Sequence, residues 1–198
     1  RLRRDVPSLL NVAFAVPLHH DGREPSLEVQ ILAPLFNEAE MANTTFDDLT
    51  SRLAAIPEFK VAFDRAFHGA PTIDTLGQAL AAYQRSLVAE KSAFDTAQLS
   101  DAAKAGLEIY SGKAGCVACH AAPRFTTNAF LNTGIGFASE ARRAGETPKA
   151  LTDRGREEVT HQRADRYKFR TPTLRNVELT APYMHDGSIK TLDDVVAY

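Results

Sequence analysis

The spacing of apolar residues along the chain predicts a mostly helical protein. After Thr72, apolar side chains recur every three or four positions up to Leu87, which predicts a helix that Thr72 caps. Pro57, a residue suited to a first helical turn, predicts a second helix that ends at Gly69. Further helices are predicted after Ser26, over 47–56, over 101–111 and from Thr191. No segment alternates convincingly between apolar and polar residues, so the pattern predicts an all-α fold.

Proline and glycine separate these helices with long irregular connections. Four prolines interrupt the short apolar runs of residues 1–42, and residues 121–170 are polar and rich in glycine. The stretch 92–100 lies between two helix-rich halves. We therefore predict an N-terminal domain over 1–95 and a C-terminal domain over 96–198.

Composition narrows the class of protein. The chain has 198 residues, of which 44% are hydrophobic and 24% charged, as in ordinary globular proteins. A net charge of −2 gives no reason to expect nucleic acid as a partner. The longest apolar stretches, such as 12–18, are too short for a membrane span. Since the chain starts with neither Met nor a signal-peptide pattern, we expect a processed or trimmed chain that lacks both ends.

The only two cysteines lie in the run Cys116-Val117-Ala118-Cys119-His120, which fits covalent attachment of a c-type haem. Each thiol can form a thioether with one haem vinyl group, and His120 then follows as an axial iron ligand. Glycines before the run let the backbone pass close to the flat porphyrin. A thiol redox pair is the alternative, although the βαβ pattern expected beside it is absent; a chance match is the remaining one. A structural zinc site would need a second Cys/His pair, and none exists.

The second axial ligand of this haem is open on spacing alone. Met184 and His185 are the candidates, because haem c iron commonly takes Met or His on its distal side. Met184 is equally well explained as a packing residue. His68 and His161 lie in polar or helix-end contexts and are predicted to be surface or capping residues.

Five runs in the same order resemble the bacterial diheme cytochrome c peroxidase family, including its methylamine-utilisation branch. They cover nearly the whole chain and are jointly specific. The runs are Val-Pro-Ser-Leu-Leu-Asn-Val-Ala-Phe (6–14), His-Asp-Gly-Arg (20–23), Ala-Pro-Leu-Phe-Asn-Glu-Ala-Glu-Met (33–41), Gly-Cys-Val-Ala-Cys-His (115–120) and the run of residues 170–187 that ends in Ala-Pro-Tyr-Met-His-Asp-Gly.

The resemblance implies two cytochrome c-like helical domains, each with one haem. The N-terminal haem would react with hydrogen peroxide, and the C-terminal haem, matched by Cys116, Cys119 and His120, would take electrons from a small donor protein of the cytochrome c or cupredoxin type. The expected reaction is reduction of hydrogen peroxide, or haem-driven oxidation of a protein substrate. Covalent haem attachment happens outside the cytoplasm, so the family context implies the periplasm. The resemblance also leaves a homodimer open.

The resemblance assigns further residues. Gln30 and Glu40 match polar residues over the distal face of the N-terminal haem, where a carboxyl group suits proton movement to the departing oxygen. A solvated pair on a helix face is the alternative. Asn11, Thr180 and Pro182 match calcium ligands between the domains, whose oxygen atoms suit a hard cation. Asn11 would otherwise simply close a turn.

Three departures from the family pattern qualify these expectations. Residues 1–115 contain no attachment motif, so one haem c is anchored in this chain and a second is expected only in a full-length protein. His20 stands where the family usually has Trp, thought to relay electrons between the haems. The family's distal ligand of the C-terminal haem falls one position after Tyr198, which would leave Met184 at the haem edge. A monohaem periplasmic electron-transfer cytochrome without peroxidase activity is therefore the alternative function.

Overall fold

A computed structural model of the chain describes residues 3–89, 91–135 and 153–198. By their contacts, the described residues divide into two compact units. Unit one comprises Asn11–Leu18 and Glu24–Val88, and unit two comprises Arg3–Leu10, His19–Arg23 and the described residues of Ala89–Tyr198. The predicted domains, 1–95 and 96–198, stay a prediction, since two short N-terminal segments belong by contact to unit two.

Unit one is built from helices whose starts are marked locally in the sequence. They are α1 (Leu27–Gln30), α2 (Leu32–Phe36), α3 (Phe46–Ala54), α4 (Pro57–Phe67) and α5 (Ile73–Ser86), preceded by a single 3₁₀ turn over Val12–Phe14. The Thr72 hydroxyl accepts a hydrogen bond from the Thr75 N–H at 3.2 Å, and the Thr75 hydroxyl accepts one from the Thr72 N–H at 2.9 Å. This reciprocal cap confirms the predicted start of α5.

The core of unit one is apolar. One cluster contains Leu35, Phe63 and Leu76, and a second contains Leu18, Leu27 and Ala81. Helices α1 and α5 approach so closely that a Cβ added at Gly77 would lie 3.0 Å from the Glu28 carbonyl oxygen. Burial of each large side chain stabilises the fold by roughly 1.5–3 kcal/mol, so this unit depends on the helical periodicity seen in the sequence.

Unit two contains less regular structure. Helix α6 (Asp101–Ser111) begins at Ser100, whose hydroxyl accepts a hydrogen bond from the Ala103 N–H at 3.2 Å. The other described elements are the strands β1 (Phe130–Leu131) and β2 (Phe169–Arg170), the helices α7 (Glu157–Thr160) and α8 (Leu192–Ala197), and 3₁₀ turns over Cys116–Ala118, Arg163–Asp165 and Val177–Leu179.

Strands β1 and β2 pair antiparallel, with Phe130 opposite Arg170 and Leu131 opposite Phe169. Two residues are too few to produce an alternating pattern, which explains why the sequence predicted no strand. The all-α prediction is confirmed, with this small sheet as an addition. The short helix α7 and strands β1 and β2 also interrupt the connection that was predicted to be mostly irregular over 121–170.

Polar contacts fix the loops of unit two. The Arg4 guanidinium donates to both carboxylate oxygens of Asp153 at 2.7 Å and also to Asp21. Burial alone would raise the pKa of both carboxyl groups, but the hydrogen bonds and charge of Arg4 lower it below the usual range. A Cβ at Gly155, whose φ is +59°, would lie 2.5 Å from the Lys168 carbonyl oxygen, so this bend requires glycine.

Across residues 3–89, 91–135 and 153–198, no helix has both the length and the apolar character that a bilayer span requires.

Candidate haem site

The cysteine pair lies on a tight turn that follows helix α6. The backbone enters this turn at Gly115, whose φ is +67°, a conformation that a glycine adopts without strain. The N–H groups of Cys119 and His120 both donate to the Cys116 carbonyl oxygen, at 3.2 and 2.9 Å. Both thiols are free and partly exposed. The turn therefore presents two thiols and one imidazole from five consecutive residues.

The imidazole of His120 is oriented through one of its two ring nitrogens. Nδ1 lies 3.2 Å from the Phe125 carbonyl oxygen and 3.1 Å from the Pro172 carbonyl oxygen. A carbonyl oxygen can only accept, so Nδ1 carries a hydrogen, and in the neutral tautomer that this selects the lone pair is on Nε2. The Tyr110 hydroxyl donates to the His120 carbonyl oxygen and fixes the backbone of the same residue. His120 is thereby prepared to ligate a metal through Nε2.

Arg175 holds the loop that supplies one of these carbonyl groups. Its guanidinium donates to the Pro123 carbonyl oxygen at 2.9 and 2.6 Å and to both oxygens of Asp95 at 2.8 and 2.6 Å. The ring of Phe125 packs edge-on against Phe94, with centroids 4.8 Å apart. The position of the Phe125 carbonyl group therefore depends on an ion pair and on aromatic packing at once.

These residues fit covalent haem attachment. Two free thiols three positions apart can form the two thioethers, and the adjacent imidazole offers Nε2 to iron while its Nδ1–H is already hydrogen-bonded. A βαβ unit, expected beside a thiol redox pair, is not among the described elements. The donor set therefore favours haem c over thiol redox chemistry.

Met184 and His185 lie on a turn of unit two. Met184 has a φ of +71° and is partly buried, and its carbonyl oxygen accepts from the Gly187 N–H at 3.3 Å. The His185 ring stacks on Phe169, with centroids 3.6 Å apart. The described contacts do not join Met184 to His120, so its role as distal ligand or haem-edge residue stays a prediction.

His68 and His161 end helices α4 and α7. Both adopt the left-handed conformation, with φ of 58° and 57°, and each donates its N–H to the carbonyl oxygen four residues earlier. The prediction that they are capping residues is confirmed.

His20, which replaces the family's usual Trp, is partly buried in unit two. Its Nε2 lies 3.1 Å from the Asp5 carbonyl oxygen. Burial lowers the pKa of His20 to about 4, and it also lowers the pKa of neighbouring His19 to about 4. Both side chains are therefore neutral imidazoles near neutral pH.

Gln30 and Glu40 both belong to unit one, at different places. Gln30 is the last residue of α1 and is partly buried. Glu40 is exposed on the turn after α2, where its carboxylate accepts from the Asn37 side-chain amide at 3.0 Å. The described contacts of Glu40 do not include Gln30. Their assignment to the distal face of a haem stays a prediction.

The three residues matched to calcium ligands are divided between the units. Asn11 is buried in unit one with a φ of 60°, and its carbonyl oxygen accepts from the Phe14 N–H at 3.0 Å, so it does close a turn. Thr180 and Pro182 belong to unit two. Among residues 3–89, 91–135 and 153–198, no three His, Cys, Asp or Glu side chains group as a metal site. A cation bound here would depend on amide and carbonyl oxygens.

Reasoning from the sequence missed the residues that orient His120. Arg175 was part of a run used only for the family resemblance. The carbonyl groups of Phe125 and Pro172 carry no signal in the sequence, because any residue type provides a carbonyl oxygen. Their proximity to His120 follows from loop positions that only the fold determines.

Comparison with known proteins decides the family. The family model described as "Di-haem cytochrome c peroxidase" matches residues 1–103. The chain belongs to this family. "Methylamine utilization protein MauG" of Methylorubrum extorquens is 36% identical over 203 residues, which cover 98% of this chain and 54% of the relative. "Cytochrome c551 peroxidase" of Nitrosomonas europaea is 33% identical over 199 residues, which cover 97% of this chain and 57% of the relative.

A solved structure agrees with this membership. The structure of "a MauG-like protein associated with microbial copper homeostasis" superposes on this chain with a TM-score of 0.82 and is 30% identical in sequence. The match covers 99% of this chain and 62% of the chain in that structure. The chain thus spans little more than half the length of these curated relatives. Membership implies haem c chemistry, and it confirms the resemblance drawn from the five sequence runs.

Proposed function

We propose that the full-length protein is a periplasmic haem c oxidoreductase that reduces hydrogen peroxide or uses it for haem-driven oxidation of a protein substrate. In the first reaction, one hydrogen peroxide takes up two electrons and two protons and yields two water molecules. The electrons would come from a small donor protein of the cytochrome c or cupredoxin type. The observation that carries the proposal is a complete haem-attachment donor set in a chain of the di-haem cytochrome c peroxidase family.

Unit two holds the haem in this proposal. Cys116 and Cys119 would bind it covalently, and Nε2 of His120 would ligate its iron. When bound, the haem supplies one-electron redox chemistry. The carbonyl groups of Phe125 and Pro172 keep the imidazole ring in one orientation by accepting a hydrogen bond from Nδ1, which leaves Nε2 to face the iron.

Unit one supplies the acid–base group. We assign to Glu40 the transfer of a proton to the departing peroxide oxygen, with Gln30 as a polar neighbour of the substrate. The backbone around Glu40 is well fixed: its N–H donates to the Asn37 carbonyl oxygen at 2.9 Å, and the Met41 N–H donates to that of Pro34 at 3.2 Å. A fixed turn with an exposed carboxylate can present that group to a small substrate.

Calcium is part of the proposal, with the Asn11 side chain and the carbonyl oxygens of Thr180 and Pro182 as ligands. Elemental analysis of the full-length protein should find calcium, and chelation should lower the melting temperature because a bound ion stabilises the folded state. If elemental analysis finds no metal and a chelator leaves the melting temperature unchanged, calcium is not part of the function.

The number of haems and the activity test the main proposal together. Intact mass and a haemochrome spectrum of the full-length protein should give two haems for each chain, and the reduced protein should be reoxidised by hydrogen peroxide with two electrons consumed per molecule. A protein with one haem that does not react with hydrogen peroxide would instead be an electron-transfer cytochrome. The names of the relatives favour the first result.

A further inference from the structure

Arg170 is a partly buried cation whose side-chain hydrogen bonds are all to neutral groups. Its Nη1 donates to the Asn128 side-chain oxygen at 2.8 Å, and its Nε donates to the His19 carbonyl oxygen at 3.2 Å. In the part of the chain that the structure describes, no carboxylate pairs with it. Burial accordingly lowers the pKa of Arg170. A buried guanidinium is costly unless an anion compensates its charge.

Arg156 repeats this arrangement beside it. Its Nη1 donates to the carbonyl oxygens of Asp21 and Gly22, at 2.9 and 3.0 Å. Its guanidinium lies 4.1 Å from the ring centroid of Phe130, the residue that pairs with Arg170 across strands β1 and β2. Two guanidinium groups thus bind to the carbonyl groups of one short segment, residues 19–22.

The acidic side chains near this segment are already paired. Asp21 and Asp153 both bind Arg4, and Asp21 also binds Arg23 at 3.2 Å. Glu158 binds both Arg3 and Arg4, at 2.6 and 3.3 Å, and Arg3 also lies 3.3 Å from Asp153. Five guanidinium groups therefore face three carboxylates in this region, and the excess charge is positive. The other titratable groups around it include the imidazoles of His19, His20 and His185, whose pKa values are all lowered by burial, and Asp186, whose charge acts on His185 in the opposite direction.

The loops around Arg170 are bonded directly to the attachment turn. Pro172, two residues after Arg170, provides the carbonyl oxygen 3.1 Å from Nδ1 of His120. Thr127, next to Asn128, donates its N–H to the Cys119 carbonyl oxygen at 3.0 Å. The positive region and the candidate haem ligands therefore belong to one set of connected loops.

We propose that Arg170, assisted by Arg156, is the binding site for a propionate carboxylate of the haem that Cys116, Cys119 and His120 hold. The inference rests on the haem attachment in the proposed function. A haem propionate brings the missing anion, and the planar guanidinium fork matches a carboxylate in geometry and charge. This pairing favours the ionised form of the propionate and so lowers its pKa. The propionate therefore takes up no proton when the iron is reduced near neutral pH.

The experiment is a redox titration of the haem-loaded full-length protein at several pH values. The haem that is followed is the one whose optical spectrum changes in His120→Ala. In the unaltered protein, the midpoint potential should be constant between about pH 5 and pH 8. In Arg170→Gln, the propionate loses its cation and its pKa rises, so the potential should fall with increasing pH inside this window. Arg170→Lys keeps the charge and should restore the flat profile.

Two control variants separate this site from other charges. Arg166→Gln removes a guanidinium that is paired with Glu157 at 2.7 Å and should leave the profile flat. The double variant Glu140→Gln, Glu146→Gln removes carboxylates that lie outside the described residues, and it should leave the profile flat as well. A slope in either control, or in the unaltered protein, would overturn the proposal.

The outcome does not depend on peroxidase activity. A flat profile in haem-loaded Arg170→Gln would also overturn the proposal, whether or not the protein reacts with hydrogen peroxide. If Arg170→Gln does not retain haem, the proposal is tested with the unaltered protein and Arg170→Lys. Both should give flat profiles, and a slope in either one would overturn the proposal. A protein inert to hydrogen peroxide that shows the expected profiles would lose the proposed enzymatic function and keep the propionate site.

Discussion

The two units of this chain are stabilised by different kinds of contact. In unit one, helices α1 to α5 bury Leu35, Phe63 and Leu76 in an apolar core. In unit two, arginine side chains connect loops: Arg4 binds Asp21 and Asp153, and Arg175 binds Asp95 and the Pro123 carbonyl oxygen. The unit with the candidate haem ligands therefore depends on charged hydrogen bonds, whose strength varies with pH and with the loss of a single partner.

This difference has a chemical reason. A helical unit can bury apolar stripes from its own residues, whereas the long loops of unit two leave many backbone carbonyl groups in need of donors. Guanidinium groups supply several donors each, so one arginine can fix two or three loops. Precise placement of His120, Phe125 and Pro172 is thus obtained from long-range polar contacts, while unit one obtains its order from local helices.

The largest expected effect is loss of the covalent haem from unit two. Cys116→Ala together with Cys119→Ala removes both thioether positions, so acid-acetone should extract all haem from this site. Intact mass and extraction measure the result, and Val117→Ala on the same turn should keep its haem. Haem that leaves the unaltered protein in acid-acetone would contradict the attachment. His120→Ala should keep the thioethers but change the optical spectrum.

The second test concerns Glu40, the proposed acid–base group of unit one. Glu40→Gln should lower the turnover of hydrogen peroxide by ~10²–10⁴-fold, the usual contribution of a general acid–base group. Glu38→Gln changes another exposed carboxylate on the same turn and should leave turnover unchanged. A Glu40→Gln effect below about threefold, measured in steady-state assays, would make Glu40 a surface carboxylate only.

A pair of core substitutions compares the two kinds of stabilisation directly. Phe63→Ala should cost about 3–5 kcal/mol of unfolding free energy, because a buried ring leaves a cavity. Arg4→Met should cost up to ~3–5 kcal/mol, because it removes the best-buried cation of two buried carboxylates, which keep only the more exposed Arg23 and Arg3. Denaturant titration measures both, with the exposed residue Phe59→Ala and the half-exposed residue Arg154→Met as controls.

The pH dependence should distinguish these two variants. The depressed pKa values of Asp21 and Asp153 contribute stability above their unfolded pKa of about 3.9, and this contribution is lost as the pH falls through the folded values. In Arg4→Met the deficit should therefore be largest near neutral pH and should shrink as the carboxyls protonate. The Phe63→Ala deficit should depend little on pH. Equal pH profiles for the two variants would contradict the proposed difference between the units.

The smallest expected effect comes from His20. The pKa of His20 is about 4 in the folded protein and about 6.5 in the unfolded protein. Between these two pH values the unfolded state binds a proton at His20 and the folded state does not. Stability should therefore rise with pH from about 4 to about 6.5, by up to about 3 kcal/mol from this residue. His20→Gln should flatten that part of the curve, whereas exposed His161→Gln should not. An unchanged slope in His20→Gln would show that its imidazole is protonated in the folded protein.

The sequence by itself determined the features that depend on neighbouring residues. Thr72, Ser100 and Thr191 cap helices because a hydroxyl reaches an N–H only three positions away. The cysteine pair with His120 is similarly contained in one turn, so its spacing alone identified the candidate haem site. The helical periodicity likewise predicted α4 and α5, whose apolar faces fill the core of unit one.

Only the tertiary structure decided which distant groups complete that site. His120 meets the Pro172 carbonyl oxygen across 52 positions, and Arg4 meets Asp153 across 149 positions. Polar contacts of this kind leave no periodic pattern, and a carbonyl group is the same in every residue. Arg170 shows the consequence, since its sequence context marks it only as part of a family run. Its burial among neutral acceptors, which suggests an anion, exists only after the loops of unit two have come together.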